Sequence, residues 1–395
     1  MRIALIAPYP PQQNGIADYA KSLADSLGHQ GVVVETPLAG LSLSPADLPA
    51  LSEVLAQIDW SRFDLIHAEV GGGRLVEFHA LRWLQTHQPA IAKTLTLHDP
   101  ERVIWQSPHV PSWIKRLPPL CYKLWTLLTD KLTLRAERAF CLGFNQIIVL
   151  TNTGKARLVK RLQLPAEKVT VIQHGCLEIQ PAPLPPLPPE GPLVLMYFGF
   201  LYRGKGIEDL LDAIALLVKQ HPATERALHL ILAGGTKPDI AFGNSGSYVD
   251  EIRARLKQLQ IEHLSISWKL DIPQAEIAPT MQSAHMVVLP YIETKKLALL
   301  GKMCGTSGVL AWANACGRGV ISSDARAFSE EVSYGNGIIF PQRNIQALAN
   351  AMKSLLENPS QINTYQIHAE AQGIRRAWSQ TGKKFVDLFA LQIQK

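Results

Sequence analysis

In RIALIA (2–7) apolar residues run without interruption after Arg2, give way to the loop PYPPQQNG, and recur at Ile16, Tyr19, Ala20, Leu23 and Leu27. A short continuous apolar run fits a strand buried on both faces, and spacings of three and four put the later group on one side of a helix. The chain therefore starts strand, loop, helix. The alternation continues with VVVETPL, DLIHAEV from Asp64, TLTLH ending at His98, QIIVLTN ending at Asn152 and VTVIQHG ending at Gly175. Short buried strands separated by helical stretches predict a parallel sheet covered on both faces.

Seven of the fourteen residues from 179 to 192 are proline, a composition that neither pairs into a sheet nor continues a helix and predicts an extended linker. Beyond it the pattern restarts with LVLMYFG (193–199), a Gly-rich turn, and a helix lined on one side by Ile207, Leu210, Leu211, Ile214, Leu217 and Val218. Further strands are expected at LHLILAG, LSISW, MVVLPYI, GVISS and GIIF, with three helices at the end. The predicted fold class is α/β, with two Rossmann-like doubly wound domains: residues 1–180, a Pro-rich linker at 181–192, residues 193–377, and a last helix at 378–395. Such a pair places a ligand between the carboxyl ends of two facing sheets. No period of 20 to 50 residues suggests a repeat array.

Composition narrows the class. The 395 residues are 47% hydrophobic and 18% charged, ordinary globular usage that excludes a disordered chain. A net charge of +6 favours anionic partners such as nucleotides, phosphates or acidic lipid, without any run that would suggest nucleic acid. Five cysteines form no CxxC pair, which points to a reducing compartment, the cytoplasm by default. The first apolar run stops at Pro8, too short for a signal-peptide core, and no apolar stretch approaches the roughly 18 to 20 residues that span a bilayer. If the protein meets a membrane, it lies on it.

Three segments could carry chemistry. Gly204, Lys205 and Gly206 stand between a predicted strand and a helix start, after Arg203, where backbone amides and two cations would cradle a diphosphate; the alternative is a Gly-rich turn with solvated cations. Thr306, Ser307 and Gly308 open a further helix and could bind an anion or only cap it. His98 ends a strand, the position from which α/β sheets present chemistry, though a hydrogen-bonded structural histidine fits as well; His67 ends the neighbouring strand and reads as structural or substrate-lining. Residues 113–138 interleave Trp and Leu with Lys115, Arg116, Lys123, Lys131, Arg135 and Arg138, suiting either an interfacial helix on an anionic membrane or a helix facing its own core. There is no DxD, HExxH or His/Cys cluster, so no metal and no cofactor is expected; GxGxxG, GxSxG and the P-loop pattern are also missing, against a dehydrogenase, a serine hydrolase and a P-loop kinase.

Taken together, MRIALIAPYPPQQNGIADYAKSLADSL, LTLHD, VTVIQHG, FGFLYRGKGIEDLLDAI, LILAGG and ACGRGVISSDARAFSEEVSYGNGIIF resemble, in register over nearly the whole chain, the family-4 glycosyltransferases of the GT-B fold. The resemblance implies two facing Rossmann-like domains with an interdomain cleft, which transfer a sugar from a nucleotide donor with retention of anomeric configuration and need no metal. It puts Asn14 and Gly15 in the loop over the donor phosphates, Lys205 on the diphosphate with Gly199, Gly204 and Gly206 around it, and His98 near the donor sugar. Where many members have an arginine after the strand glycine, Phe200 follows Gly199, and Arg203 is expected to substitute. Two family glutamates fall on Cys304 and Trp312, while the Thr306–Gly308 turn resembles a branch with Ser-Gly there.

The expected activity is thus a cytoplasmic retaining glycosyltransferase acting on a glycan, lipid-linked or polysaccharide acceptor, peripheral on the inner membrane face through residues 113–138. The competing expectation is a non-catalytic protein of the same fold that binds a sugar, a nucleotide or a partner enzyme. Whether Trp312 packs into the second core bears on the choice. The last helix, with Phe385, Leu388 and Phe389 at helical spacing, is expected to cross back onto the first domain.

Overall fold

A computed structural model describes every residue except 13, 42–47, 72–74, 105–110, 112, 237–244, 294–302 and 395. The chain forms two compact units: Met1–Gln173 with Met303–Gly305 and Trp378–Lys395, and His174–Lys302 with Thr306–Ala377.

In the first unit the elements run β1 (Arg2–Ile6), α1 (Gly15–His29), β2 (Val33–Glu35), α2 (Leu48–Gln57), β3 (Leu65–Val70), α3 (Leu75–His87), β4 (Ala92–Leu97), α4 (Pro119–Leu128), α5 (Asp130–Leu142), β5 (Gln146–Val149), α6 (Asn152–Leu162) and β6 (Val169–Val171). The second carries β7 (Leu193–Phe198), α7 (Ile207–Gln220), β8 (Leu228–Gly234), α8 (Ser245–Gln258), β9 (Ser265–Leu270), α9 (Gln274–Gln282), β10 (Met286–Leu289), α10 (Gly308–Ala315), β11 (Gly319–Ser323), α11 (Phe328–Val332), β12 (Gly337–Phe340), α12 (Ile345–Glu357) and α13 (Ser360–Arg375); α14 (Trp378–Ile393) returns to the first unit.

Each unit holds one six-stranded sheet, in the orders β2-β1-β3-β4-β5-β6 and β12-β11-β10-β7-β8-β9, and every pairing is parallel. Central strands read as continuous apolar runs because helices cover both sheet faces, and β3, β5, β7, β10 and β11 are buried along their whole length. Two strands are shorter than the apolar pattern predicts. The edge strand β2 pairs over only three residues, with Val33 exposed. β10 stops at Leu289 because Pro290 has no N–H for the ladder.

The Pro-rich segment is not a detached linker. Its carbonyls replace the missing amides as the groups that fix it: the fully buried Arg318 donates to Ala182 O and Pro183 O at 3.2 and 2.9 Å, and His285 Nε2 lies 3.1 Å from Pro185 O. Leu184 and Leu187 pack against the second core, so the unit starts at His174 and includes the segment.

Residues 113–138 do not form one helix. They form a 3-10 turn (Ile114–Arg116), α4 and the start of α5, interrupted at Pro118 and at Thr129. A proline pair readily opens a helix but cannot lie within one.

Candidate active site

In a parallel sheet the ligand crevice opens at the carboxyl ends of the two strands between which the order reverses. In the second unit those strands are β7 and β10, since β7 leads to β8 and β9 on one side and β10 to β11 and β12 on the other. Gly199 follows β7, and the turn from Gly204 to Gly206 brings the start of α7 against the end of β10. Gly206 caps α7 at φ 73°, and a Cβ there would lie 1.7 Å from Pro290 O, so only glycine lets the helix begin this close.

Lys205 Nζ sits 3.8 Å from the centre of the Tyr291 ring and 5.1 Å from that of Tyr202. Tyr291 Oη is 3.4 Å from Ser307 Oγ, and Ser307 caps α10 by accepting from Val309 N–H. Burial pushes the Tyr291 phenol up, but the neighbouring Lys205 ammonium and the Ser307 bond outweigh it, so its net shift is downward. Arg326, in the loop after β11, also reaches this place: its guanidinium lies 5.9 Å from the Tyr291 ring and donates to Thr306 O at 3.3 Å. Two cations and two helix N-termini thus converge at the reversal of strand order, which favours an anion with several oxygens.

Arg203, the cation expected to stand in for the family arginine, is exposed and pairs with Glu251 on α8 at 2.6 Å, whereas Arg326 is the cation that stands beside Lys205 at the Tyr291 ring. A cation in the loop that follows a buried strand was the available signal, and it was legible only with β11 placed beside β10.

In the first unit the order reverses between β1 and β3. α1 begins there at Gly15, where a Cβ would meet open space, while Asn14 Oδ1 accepts from Ile16 and Ala17 N–H and is thereby committed to capping. His98 stands just beyond β4, and a Cβ on the adjacent Gly71 would fall 2.8 Å from His98 Cβ and 3.0 Å from Ile16 Cδ1. The α1 N-terminus, Gly71 and His98 are therefore one cluster.

Beneath it lies a polar line on one face of two buried strands. His67 and Glu69, two apart on β3, stand opposite Thr94 and Thr96 on β4. Glu69 is fully buried; one carboxylate oxygen is 2.8 Å from His67 Nε2 and the other 2.7 Å from His98 Nε2. Burial raises the Glu69 carboxyl, but the bonds from His67 and then His98 outweigh this and hold it below its ordinary range. The alternation of His67 and Glu69 within an otherwise apolar strand was the signal for this group.

The positions of the two family glutamates are occupied as follows. Cys304 is buried in the first unit, its N–H donating to Glu101 and its carbonyl accepting from Thr151 Oγ1. Trp312 packs against the second core, with its ring 6.5 Å from that of Phe198. Among the described residues no group of three His, Cys, Asp or Glu could hold a metal ion.

Comparison with known proteins agrees with this geometry. Residues 5–176 match the family described as Glycosyltransferase Family 4, and residues 192–358 match Glycosyl transferases group 1. The D-inositol 3-phosphate glycosyltransferase of Kineococcus radiotolerans is 22% identical over 260 residues, 63% of this chain and 58% of that protein. The chain thus spans less than two thirds of the curated relatives it matches. The sucrose-phosphate synthase of Thermosynechococcus elongatus superposes with a TM-score of 0.72 at 19% identity, covering 99% of this chain and 98% of the other. HepE of Anabaena, solved with UDP and glucose, gives 0.67 at 17% identity over 99% of both chains. The matches to the two halves together span most of the sequence, and the chain is a glycosyltransferase of family 4, with the GT-B fold.

Proposed function

We propose that this glycosyltransferase moves a sugar, with retention of anomeric configuration, from a nucleoside diphosphate donor held against the second unit. The observation that carries the reading is the convergence of Lys205, Arg326, Tyr291 and Ser307 with the N-termini of α7 and α10. As the bond from the sugar to the diphosphate breaks, negative charge builds on the leaving phosphate, and preorganised cations and amides bind that charge better than the ground state. That HepE is known with UDP and with UDP-glucose favours a uridine donor. His98, at the reversal of strand order in the first unit, would bind a sugar hydroxyl, and the reaction would need no metal.

The acceptor is a glycan or lipid-linked sugar, met in the cytoplasm at the inner membrane face. Support comes from the surface of α4 and its neighbours: Trp113, Leu117, Leu120, Leu124, Leu127, Leu128 and Leu132 are all exposed, Leu128 to 80%. Arg116, Lys131, Arg135 and Arg138 are exposed around them, while the side chains of Lys115 and Lys123 lie outside the described residues. No carboxylate occurs from 111 to 129. Apolar side chains beside exposed cations suit an anionic bilayer.

A second reading, a protein that binds nucleotide without turnover, is favoured by Trp312, which packs against the core where the family carries a glutamate. One experiment separates the two: calorimetry against UDP, GDP, ADP and their sugar conjugates, with Lys205→Ala as control. Micromolar binding of one nucleotide, lost in the variant and accompanied by slow release of sugar, is expected. Binding without release would select the second reading, and no binding by folded protein would end both.

A further inference from the structure

We propose that Glu69 is a positioning residue for His98, and that it selects the tautomer His98 offers to the sugar. The inference rests on the reading of His98 given above and adds what holds it. An ionised carboxylate only accepts, so with its two oxygens 2.7 and 2.8 Å from the two Nε2 atoms, both His98 and His67 carry a proton at Nε2. The Nδ1 atom of neutral His98 then holds a lone pair, and it makes no hydrogen bond among the described residues. In that neutral ring it accepts from a sugar hydroxyl.

The remaining contacts pack around both imidazoles. Tyr19 meets the His98 ring edge-on at 4.8 Å and is itself met edge-on by Trp378 at 5.0 Å. His67 is anchored on its far side by Thr94 Oγ1, 2.8 Å from Nδ1, and its ring lies 5.5 and 5.0 Å from those of Phe385 and Phe389. Glu69 is thus held between one fixed imidazole and the one it orients. A ring fixed through its second nitrogen by a carboxylate is the usual way in which a protein sets an imidazole's tautomer.

The test pairs Glu69→Leu, which removes both acceptors, with Glu69→Gln, whose one amide oxygen can still accept from His98 if His67 turns its proton to Thr94. Nitrogen NMR of 15N-histidine-labelled full-length protein, with His98→Ala to assign the signal, reports the tautomer directly without any ligand. Release of sugar from the nucleotide sugar that binds in the calorimetric screen reports the consequence. Expected are the Nε2-protonated form of His98 in the native protein, its loss in Glu69→Leu and its retention in Glu69→Gln. In Glu69→Leu kcat should fall on the order of 100-fold with KM nearly unchanged, Glu69→Gln should recover most of it, and Glu69→Leu should cost nothing further in the His98→Ala background.

An unaltered His98 signal in both folded Glu69 variants overturns the proposal, as does an equal loss of kcat with and without His98, which would mark a structural role alone. Altered signals with no loss of transfer in Glu69→Leu or His98→Ala support the hold on the ring and instead remove His98 from the reaction. If no nucleotide sugar binds, the functional reading fails while the NMR still decides what Glu69 does.

Discussion

Arg326 and Arg203 differ in what surrounds them, not in charge. Arg203 is 72% exposed and already neutralised by Glu251, so an anion would have to displace that partner in water, where a surface pair contributes little. Arg326 lies beside Lys205 over one tyrosine ring, with its guanidinium already held by Thr306 O. Arg326→Ala should therefore weaken nucleoside diphosphate binding about 10-fold, the scale of one charge-assisted hydrogen bond, while Arg203→Ala should leave it within about twofold. Calorimetry on the two variants checks this, and equal losses would return Arg203 to the site. The sequence placed Lys205, Ser307 and His98 correctly at strand and helix ends, because glycines and capping residues announce such ends locally. It pointed to Arg203 and not to Arg326, 123 positions further on, since which loops meet is not written locally.

At the scale of elements, α14 does more than end the chain. Ser26 on α1 donates to Trp378 O, and a Cβ on Gly382 would fall 2.1 Å from Ser26 Oγ, so the two helices touch backbone to side chain. Phe385 and Phe389 are fully buried and lie against His67, which makes α14 part of the support beneath His98. Phe389→Ala should cost about 3 kcal/mol by leaving a cavity under the imidazole. Denaturant unfolding followed by fluorescence would measure it, and a loss below about 1 kcal/mol would mean the helix is not needed there. The helical spacing of Phe385, Leu388 and Phe389 was plain in the sequence. That they face a histidine on β3, more than 300 residues earlier, was not.

For the whole molecule, a net charge of +6 becomes informative once its distribution is known. The exposed leucines of α4 lie in a stretch without carboxylates, so vesicles rich in phosphatidylserine should retain the protein in flotation at low salt, and neutral vesicles should retain much less. Replacing Leu124 and Leu128 by Ser should abolish flotation while leaving the melting transition in place, since neither side chain is buried. Equal recovery on neutral and anionic vesicles, or none on either, would remove the membrane from the functional reading. Two such faces on separate copies would bring like charges together, so self-association through them is disfavoured, and sedimentation of the same protein would report it.

The order of strands and helices, the two-unit α/β architecture and the glycine and capping positions of the site were determined by the sequence alone. Each follows from local chemistry: apolar periodicity, the conformational reach of glycine, and the hydrogen bonds of a helix's first turn. Tertiary structure decided which charges converge, that the proline-rich segment is clamped by Arg318, that residues 113–138 break into three pieces, and that Glu69 lies between two imidazoles. These depend on contacts between residues far apart in the chain, where an unpaired buried carboxylate or carbonyl is too costly to persist and its partner is fixed by packing. Local pattern tells which groups reach a strand's end; only the fold tells which of them meet there.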